Sequence, residues 1–154
     1  PRGVDLSWTR ELQHIFLIRS PERVIASYRQ KMPSVTADDI GIVRQRELFD
    51  EITAITGERP PVVDSLDILK SPERMLRLLC DALAVPWYEG VMTDWQPGPR
   101  ATDGVWASHW YGAVEASTGF ASAPSSSPQL DAADCALATD MMTHYEAMAR
   151  FKLF

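Results

Sequence analysis

Two short apolar runs predict the strands of a parallel sheet. Residues 15–18 read Ile-Phe-Leu-Ile, a continuous apolar run that is typical of a strand buried on both faces. A second, shorter run lies at Val62 and Val63. Helical patterns separate and follow the two runs, and this order favours right-handed crossovers on a parallel sheet. Two strands alone make a poor sheet core, so we expect either further strands or a larger fold.

Start signals and apolar spacing predict the helices between and after the strands. Three of them open on serine followed by proline, which suits the N-cap and first position of a helix, at Ser20, Ser71 and Ser127. Another opens on Thr36, which resembles a capping pair with Asp39, and ends at Gly57 and Pro60. The apolar positions are Val24, Tyr28 and Met32; Ile40, Val43, Leu48, Ile52 and Ile55; Met75, Leu76, Leu79 and Leu83; Trp106, Trp110 and Val114; and Leu130, Leu137, Met141 and Met148.

The composition is that of a globular protein with an acidic balance. The 154 residues are 45% hydrophobic and 23% charged, enough for a single domain with a core. The formal net charge of −6 argues against a nucleic-acid partner, but not against a local arginine cluster that binds a small anion. No apolar run reaches the roughly 18 residues of a membrane span, and no signal peptide opens the chain. We therefore expect a cytoplasmic protein without a membrane partner.

An arginine and a serine follow the first strand at a spacing that suits an anion. Arg19 comes directly after the strand, at the edge where open parallel sheets bind ligands. The helix that begins at Ser20 directs its N–H groups and the positive end of its dipole there. The Arg19 guanidinium matches phosphate oxygens, and Ser27 lies two turns into the helix. On spacing alone, a solvated strand-end arginine and a helix-surface serine are the favoured interpretation.

The stretch LIRSPERVIASYRQ, residues 17–30, resembles the 3′-phosphate-binding motif of sulfotransferases that use 3′-phosphoadenosine 5′-phosphosulfate (PAPS). That motif has an arginine at a strand end and, eight residues later, a serine followed by tyrosine. Arg19, Ser27 and Tyr28 occupy these positions here. The resemblance implies that Arg19 and Ser27 hold the 3′-phosphate of the nucleotide.

Two later segments extend the resemblance, which runs from about residue 5 to the C-terminus. VVDSLDILKSPERMLRLLCDALAVPW, residues 62–87, is similar to a strand-loop-helix segment of the family. GPRATDGVWASHWY, residues 98–111, resembles its late nucleotide loop, with Arg100 in the basic position. Ala101 stands where the family usually has glycine. The residues that keep the family's spacing are Gly104, Trp106, His109 and Trp110.

The resemblance implies a three-layer α/β fold of the P-loop type, with a parallel sheet and a helix-rich C-terminal half. It also implies PAPS as co-substrate without a metal, and transfer of a sulfuryl group to a hydroxyl or amine of a small-molecule acceptor. The family's 5′-phosphosulfate loop, a Gly/Ser-rich turn with a basic residue, has no counterpart in the chain, which begins Pro1-Arg2-Gly3. We therefore expect residues 1–154 to be the C-terminal portion of a sulfotransferase-like domain, incomplete at the N-terminus and inactive alone.

Two alternatives stay open. The chain is compatible with a non-catalytic nucleotide-binding or interaction module, because the donor loop is absent. It is also compatible with a relative of small-molecule kinases, although no Gly-x-x-x-x-Gly-Lys stretch supports phosphoryl transfer. The sequence identifies neither the acceptor nor the oligomeric state.

No residue is assigned to catalysis or to a metal. The histidines match no catalytic position of the family, so we interpret His14, His109 and His144 as structural. Asp64 and Asp67 near the second strand resemble a metal pair, but a turn carboxylate and a helix-side carboxylate are the favoured interpretation.

Residues 94–104 predict a flap. The stretch DWQPGPRATDG has two prolines, two glycines and no apolar periodicity, so it buries little surface. Because Arg100 is placed to meet an anion, we expect this segment to become ordered over a bound nucleotide.

Overall fold

Two three-residue strands pair in parallel in the computed structural model of the chain, which describes residues 3–105, 107 and 111–154. β1 spans Phe16–Ile18 and β2 spans Val62–Asp64, and Ile18 lies opposite Asp64. The predicted α/β class and parallel pairing are confirmed. Because the strands are parallel, the residues that follow β1 and β2 share one edge of the sheet.

The described residues form two compact units. The first unit comprises Pro1–Leu66 and Pro124–Phe154, and the second comprises Asp67–Ala123. The prediction of one domain over 1–154 stays a prediction. In chain order the helices are a 3-10 helix Ser7–Glu11, α1 Pro21–Arg29, α2 Ala37–Ile40, α3 Ile42–Thr56, α4 Ser65–Lys70, α5 Pro72–Ala82, α6 Gly112–Glu115 and α7 Ala132–Ala149. No helix of the described residues is long and apolar enough to cross a membrane.

The core of the first unit joins the sheet to two helices. α1 and α3 pack against α7, and α7 also packs on both strands. The side chains at the centre of this core are Ile18, Phe49, Val62 and Met148, each almost fully buried. At the chain's end, the Leu153 N–H donates to the Val62 carbonyl oxygen at 3.0 Å, so the C-terminal segment covers the outer edge of β2.

The prediction that the first strand is buried on both faces is wrong. Ile18 is fully buried, but Leu17 is 53% exposed and Ile15 is 46% exposed. Successive side chains of a strand point to opposite faces, so β1 puts Ile18 in the core and Leu17 on the other side. That second face forms the wall of an open cleft.

Gly41 divides the helix that the sequence predicts from Thr36 to Gly57. The capping pair is confirmed, since Thr36 Oγ1 accepts from the Asp39 N–H at 3.3 Å and Asp39 Oδ2 accepts from the Thr36 N–H at 2.8 Å. The hydrogen bonds from Thr36 lower the pKa of the Asp39 carboxyl. Gly41 then has a φ of 65°, which ends α2 and starts α3 in a new direction. The buried positions of α3 are Ile42, Phe49 and Ile52.

The three predicted serine caps do not act through their side chains. Ser20 and Ser71 occupy N-cap positions without a side-chain cap bond. The assignment of Ser127 is wrong, because α7 begins later, where Asp131 accepts the Asp134 N–H at 2.8 Å. The carboxylate satisfies an N-terminal amide that would otherwise lack a partner, whereas Ser127 is exposed in irregular structure.

Helix α5 and a following turn dominate the second unit. Met75 of the predicted apolar face is buried on α5 together with Cys80, whereas Leu76, Leu79 and Leu83 are only partly buried. Arg77 lies 4.3 Å from the centre of the Trp87 ring and donates to Glu89 at 2.8 Å. Val114 lies in α6, while Trp106, His109 and Trp110 of the predicted late helix lie outside the described residues.

The different burial of the two faces of β1 predicts different losses of unfolding free energy for substitutions on each face. Ile18→Ala should lower the free energy of unfolding by about 2–5 kcal/mol, because it opens a cavity in a closed core. Leu17→Ala removes an adjacent aliphatic side chain that is half exposed, so we expect a loss below about 1 kcal/mol. Urea unfolding followed by circular dichroism compares the two. Equal losses would contradict the described register of β1.

Candidate functional site

A cleft of about 250 Å³ opens at the carboxyl end of β1. It lies between this strand end, the first turn of α1 and the junction of α2 with α3. The lining residues are Leu17, Arg19, Pro21, Val24, Ile40, Gly41, Ile42 and Gln45. Gln45 Nε2 donates to the Leu17 carbonyl oxygen at 2.8 Å, which ties α3 to the free edge of β1. Arg19 is the one charged residue of an otherwise largely apolar lining.

Arg19 lacks a counter-charge. The residue is exposed at the cleft, and it makes no hydrogen bond or ion pair with any described residue. Partial burial and then the nearby positive charge of Arg23 lower the pKa of the Arg19 guanidinium. Arginine nevertheless stays charged at neutral pH. A bound anion would replace the lost hydration and balance this charge, so the cleft fits a negatively charged group.

The first turn of α1 contains two buried polar atoms without partners among the described residues. They are the hydroxyl oxygen of Ser20 and the Oε2 atom of Glu22. Ser20 contributes to the helix through its carbonyl oxygen, which accepts from the N–H groups of Arg23 and Val24 at 3.0 and 3.1 Å. Buried polar groups almost always have a hydrogen-bond partner. The Ser20 hydroxyl therefore lacks a described partner, although Ser20 is not among the residues that line the cleft.

Helix α1 is held firmly against α7. Arg29 Nε lies 2.9 Å from Asp134 Oδ2, and Arg29 Nη2 lies 3.3 Å from Asp131 Oδ2. Asp134 is only 8% exposed, whereas the Arg29 side chain is about one third exposed, so the ion pair is partly shielded from solvent. Ser27 lies half buried on the same helix, and its hydroxyl makes no hydrogen bond with a described residue, but Ser27 is not among the residues that line the cleft. The pairing of α1 with α7 thus fixes the helix that carries Ser27 relative to the strand end that carries Arg19.

Asp64 is a structural carboxylate at the end of β2. It is 3% exposed, its Oδ1 accepts the Leu66 N–H at 2.7 Å, and the Tyr145 hydroxyl donates to its Oδ2. These bonds agree with the interpretation of Asp64 as a turn carboxylate. In the second unit, Asp67 lies 3.8 Å from Lys70 Nζ. Within the described ranges, no group of three or more His, Cys, Asp or Glu side chains could hold a metal ion.

The described histidines take part in local structure. His14 Nε2 lies 2.9 Å from the Thr9 carbonyl oxygen, to which the protonated nitrogen donates. His144 lies half buried within α7. Neither lines the cleft at Arg19.

Arg100 lies in the second unit, where it is exposed. Its N–H donates to Asp103 Oδ2 at 2.8 Å, and its carbonyl accepts the Asp103 N–H at 3.0 Å, so the residue begins a tight turn. Its guanidinium makes no ion pair with a described carboxylate. The predicted phosphate contact of Arg100 stays a prediction.

The predicted flap is shorter than residues 94–104. The Trp95 N–H donates to the Thr118 carbonyl at 3.0 Å, and the Gly98 N–H donates to the Glu115 carbonyl at 2.7 Å. Trp95 also packs edge-to-face against Phe120, with ring centres 5.3 Å apart. The two hydrogen bonds hold the backbone of residues 94–98 in place, and the packing against Phe120 holds the Trp95 side chain. The prediction of a flap that becomes ordered over a ligand therefore applies only to residues 99–104.

Comparison with known proteins identifies the family. The sulfotransferase domain family matches the chain over residues 2–151. Branched-chain-amino-acid aminotransferase-like protein 2 of Arabidopsis thaliana is 34% identical over 127 residues, which are 82% of this chain and 22% of that protein. Branched-chain-amino-acid aminotransferase-like protein 1 of the same plant is 32% identical over 138 residues, 90% of this chain and 22% of that protein.

The match is confined to one part of each plant protein, since the chain spans 22% of their length. No solved structure matches the chain at a significant level. The match to the sulfotransferase domain covers nearly every residue, from the 3-10 helix to the end of α7. The resemblance stated from the sequence is confirmed: the chain belongs to the sulfotransferase domain family.

Proposed function

We propose that the chain binds the 3′-phosphate end of PAPS through Arg19 and Ser27. A complete sulfotransferase built on this domain would transfer the sulfuryl group of PAPS to a hydroxyl or amine of a small-molecule acceptor. The observation that carries the proposal is Arg19, a cation without a counter-charge at the carboxyl end of a parallel strand.

The chemistry of the strand end supports a phosphate. A phosphate group offers negative charge and several acceptor oxygens, which suit a guanidinium fork and hydroxyl donors. In this proposal Arg19 and Ser27 supply these donors, and the hydroxyl of Ser20, the residue after Arg19, is buried without a described partner. The positive end of α1 faces the same region. Every group there favours an anion except the Glu22 carboxylate, whose Oε2 is buried.

The size of the cleft supports binding of one end of a nucleotide. Pockets for whole drug-sized ligands measure about 300–1,000 Å³. The cleft at Arg19 measures about 250 Å³, which suits a phosphate and the adjoining sugar. The apolar residues Val24 and Ile42 in its wall would contact carbon atoms of the ligand.

The P-loop type of fold is part of the same proposal. The first unit has two parallel strands connected through α1, α2 and α3, with the candidate ligand residues after β1. This connection and family membership support the three-layer arrangement that the resemblance implies. We propose no metal, because arginine side chains supply the positive charge. The cytoplasmic location and the small-molecule acceptor likewise remain proposals.

For the 154-residue chain alone we propose nucleotide binding without turnover. The residues assigned to the site all concern the 3′-phosphate, which does not react. Positioning and electrostatic stabilisation of the transferring group need further donors. The printed names of the two plant relatives describe aminotransferase-like proteins, and a match to 22% of their length transfers no aminotransferase activity to this chain.

Removing the proposed phosphate ligands should weaken binding selectively. Arg19→Ala should weaken 3′-phosphoadenosine 5′-phosphate by about 1.5–3 kcal/mol, because a charge-assisted hydrogen bond is lost. Ser27→Ala should cost about 0.5–1.5 kcal/mol. Neither variant should change the affinity for adenosine 5′-phosphate, which lacks the 3′-phosphate. Isothermal titration calorimetry measures all these affinities.

Arg46→Ala is the matched control, because Arg46 lies on α3 and pairs with Asp50 at 2.9 Å. It should leave both affinities unchanged. If Arg19→Ala weakened both nucleotides equally, Arg19 would not contact the 3′-phosphate.

A proposed contact between Arg100 and the nucleotide predicts ligand-dependent ordering within the second unit. In amide hydrogen exchange, residues 99–104, whose described N–H hydrogen bonds lie within one local turn, should exchange faster without nucleotide than with 3′-phosphoadenosine 5′-phosphate. Residues 95 and 98 should be protected in both states, since their N–H groups already donate to carbonyls.

Arg100→Ala should abolish the added protection, whereas the neighbouring Thr102→Ala, which keeps the charge, should retain it. Protection of 99–104 before ligand is added, or equal protection in Arg100→Ala, would remove Arg100 from the proposed site.

A further inference from the structure

Arg23 occupies the position on α1 that adjoins both proposed phosphate ligands. Since Ser20 is the N-cap and Pro21 the first helical residue, Arg19 immediately precedes the cap and Arg23 is the third helical residue. Arg23 and Ser27 are four residues apart, so they lie on the same face of the helix. The charge of Arg23 reaches Arg19, because it contributes to lowering the pKa of Arg19.

Most donors of Arg23 are available to a ligand. Its Nη2 donates to the carbonyl oxygen of Ser126 at 2.9 Å, and this is the one hydrogen bond of its side chain to a described residue. A guanidinium has five N–H donors in a fixed fork. The bond to Ser126 therefore orients the fork and leaves the remaining donors without described partners.

Among the described residues Arg23 has no carboxylate partner, unlike three other arginines of the first unit. Arg29, Arg44 and Arg46 each form an ion pair with at least one carboxylate. Arg23 and Arg19 form none with the described residues, although the chain has 21 acidic residues against 15 basic ones. Two neighbouring cations that repel each other without compensation cost free energy, and a bound anion with two charges would remove that cost.

We propose that Arg23 is a second cationic ligand of the anion bound by Arg19, and that it makes the site selective for a phosphate dianion over a monoanion. This inference rests on the proposed nucleotide site and deepens it. A phosphate monoester carries close to two negative charges at neutral pH, since its second proton dissociates near pH 6. Arg19 balances one charge and Arg23 balances the other.

Three nucleotides that differ in the charge of their 3′ group distinguish the proposed roles of the two arginines. They are 3′-phosphoadenosine 5′-phosphate, its 3′-(methyl phosphate) ester, which has one charge fewer, and adenosine 5′-phosphate, which has no 3′ group. At pH 7.5 we expect the wild-type chain to prefer the first over the second about tenfold or more, and the second over the third by a similar factor. The first preference reports Arg23, and the second reports Arg19.

Arg23→Gln should abolish the preference for the dianion over the methyl ester while keeping the preference for the methyl ester over adenosine 5′-phosphate. Arg19→Ala should instead reduce the affinity for both 3′-phosphorylated nucleotides. Arg46→Gln is the control arginine and should change neither preference. If circular dichroism shows that Arg23→Gln is unfolded, Arg23→Met, which keeps the apolar stem, takes its place with the same expectation.

The outcomes distinguish this inference from the proposed function. If the wild type prefers 3′-phosphorylated nucleotides and the Arg23 variant keeps both preferences in full, the inference is overturned and the proposed function stands. If the wild type shows no preference for any 3′-phosphorylated nucleotide, both are overturned. Loss of the dianion preference alone supports Arg23 as the second ligand.

Discussion

The parallel pairing of β1 with β2 determines where every candidate ligand residue of the first unit lies. With Ile18 opposite Asp64, both strands end at one edge of the sheet, and Arg19 is the first residue beyond it. A slip of one residue would exchange the faces of Leu17 and Ile18, so the core and the cleft would exchange side chains. Ile18 and Val62 in the core fix the register, because both are fully buried. The carboxylate of Asp64 then bonds the start of α4 and Tyr145 of α7 to the end of β2.

Ion pairs distinguish Arg29 from the two arginines that we propose as ligands. Arg29 has a fixed structural role, because it bridges α1 to the buried Asp134 at the start of α7. Arg19 and Arg23 lie beside and on the same helix and have no such carboxylate among the described residues. The packing of α1 against α7 thus holds in place the start of the helix, where Arg19, Ser20 and Arg23 lie within five positions of the chain. A site that is preorganised in this way binds its ligand at a lower cost in entropy.

Local chemistry explains which features could be predicted from the sequence. The apolar runs predict both strands, the Thr36–Asp39 pair predicts a capping box, and Gly57 predicts a helix end, because each signal acts over a few residues. The spacing of Arg19 and Ser27 and the motif around them also identify the family correctly. These signals need no knowledge of what lies elsewhere in the fold.

Other features depend on tertiary structure and were missed for that reason. The exposure of Leu17 depends on what covers the second face of β1, and the break at Gly41 depends on a left-handed backbone that glycine permits but does not require. The start of α7 is set by Asp131, although Ser127-Pro128 carries a stronger local signal. The role inferred for Arg23 rests on its lack of a carboxylate partner among the described residues. Only the tertiary structure shows which arginines have such partners.

Backbone and arginine side-chain NMR of the isotope-labelled chain, titrated with 3′-phosphoadenosine 5′-phosphate, tests most directly whether the end of β1 and the start of α1 bind the 3′-phosphate. If the 3′-phosphate binds there, we expect the largest chemical-shift changes at the amides of residues 18–28 and at the Nε groups of Arg19 and Arg23. Adenosine 5′-phosphate should leave these signals nearly unchanged. Equal changes with both nucleotides, or changes confined to residues outside 18–28, would contradict binding of the 3′-phosphate there.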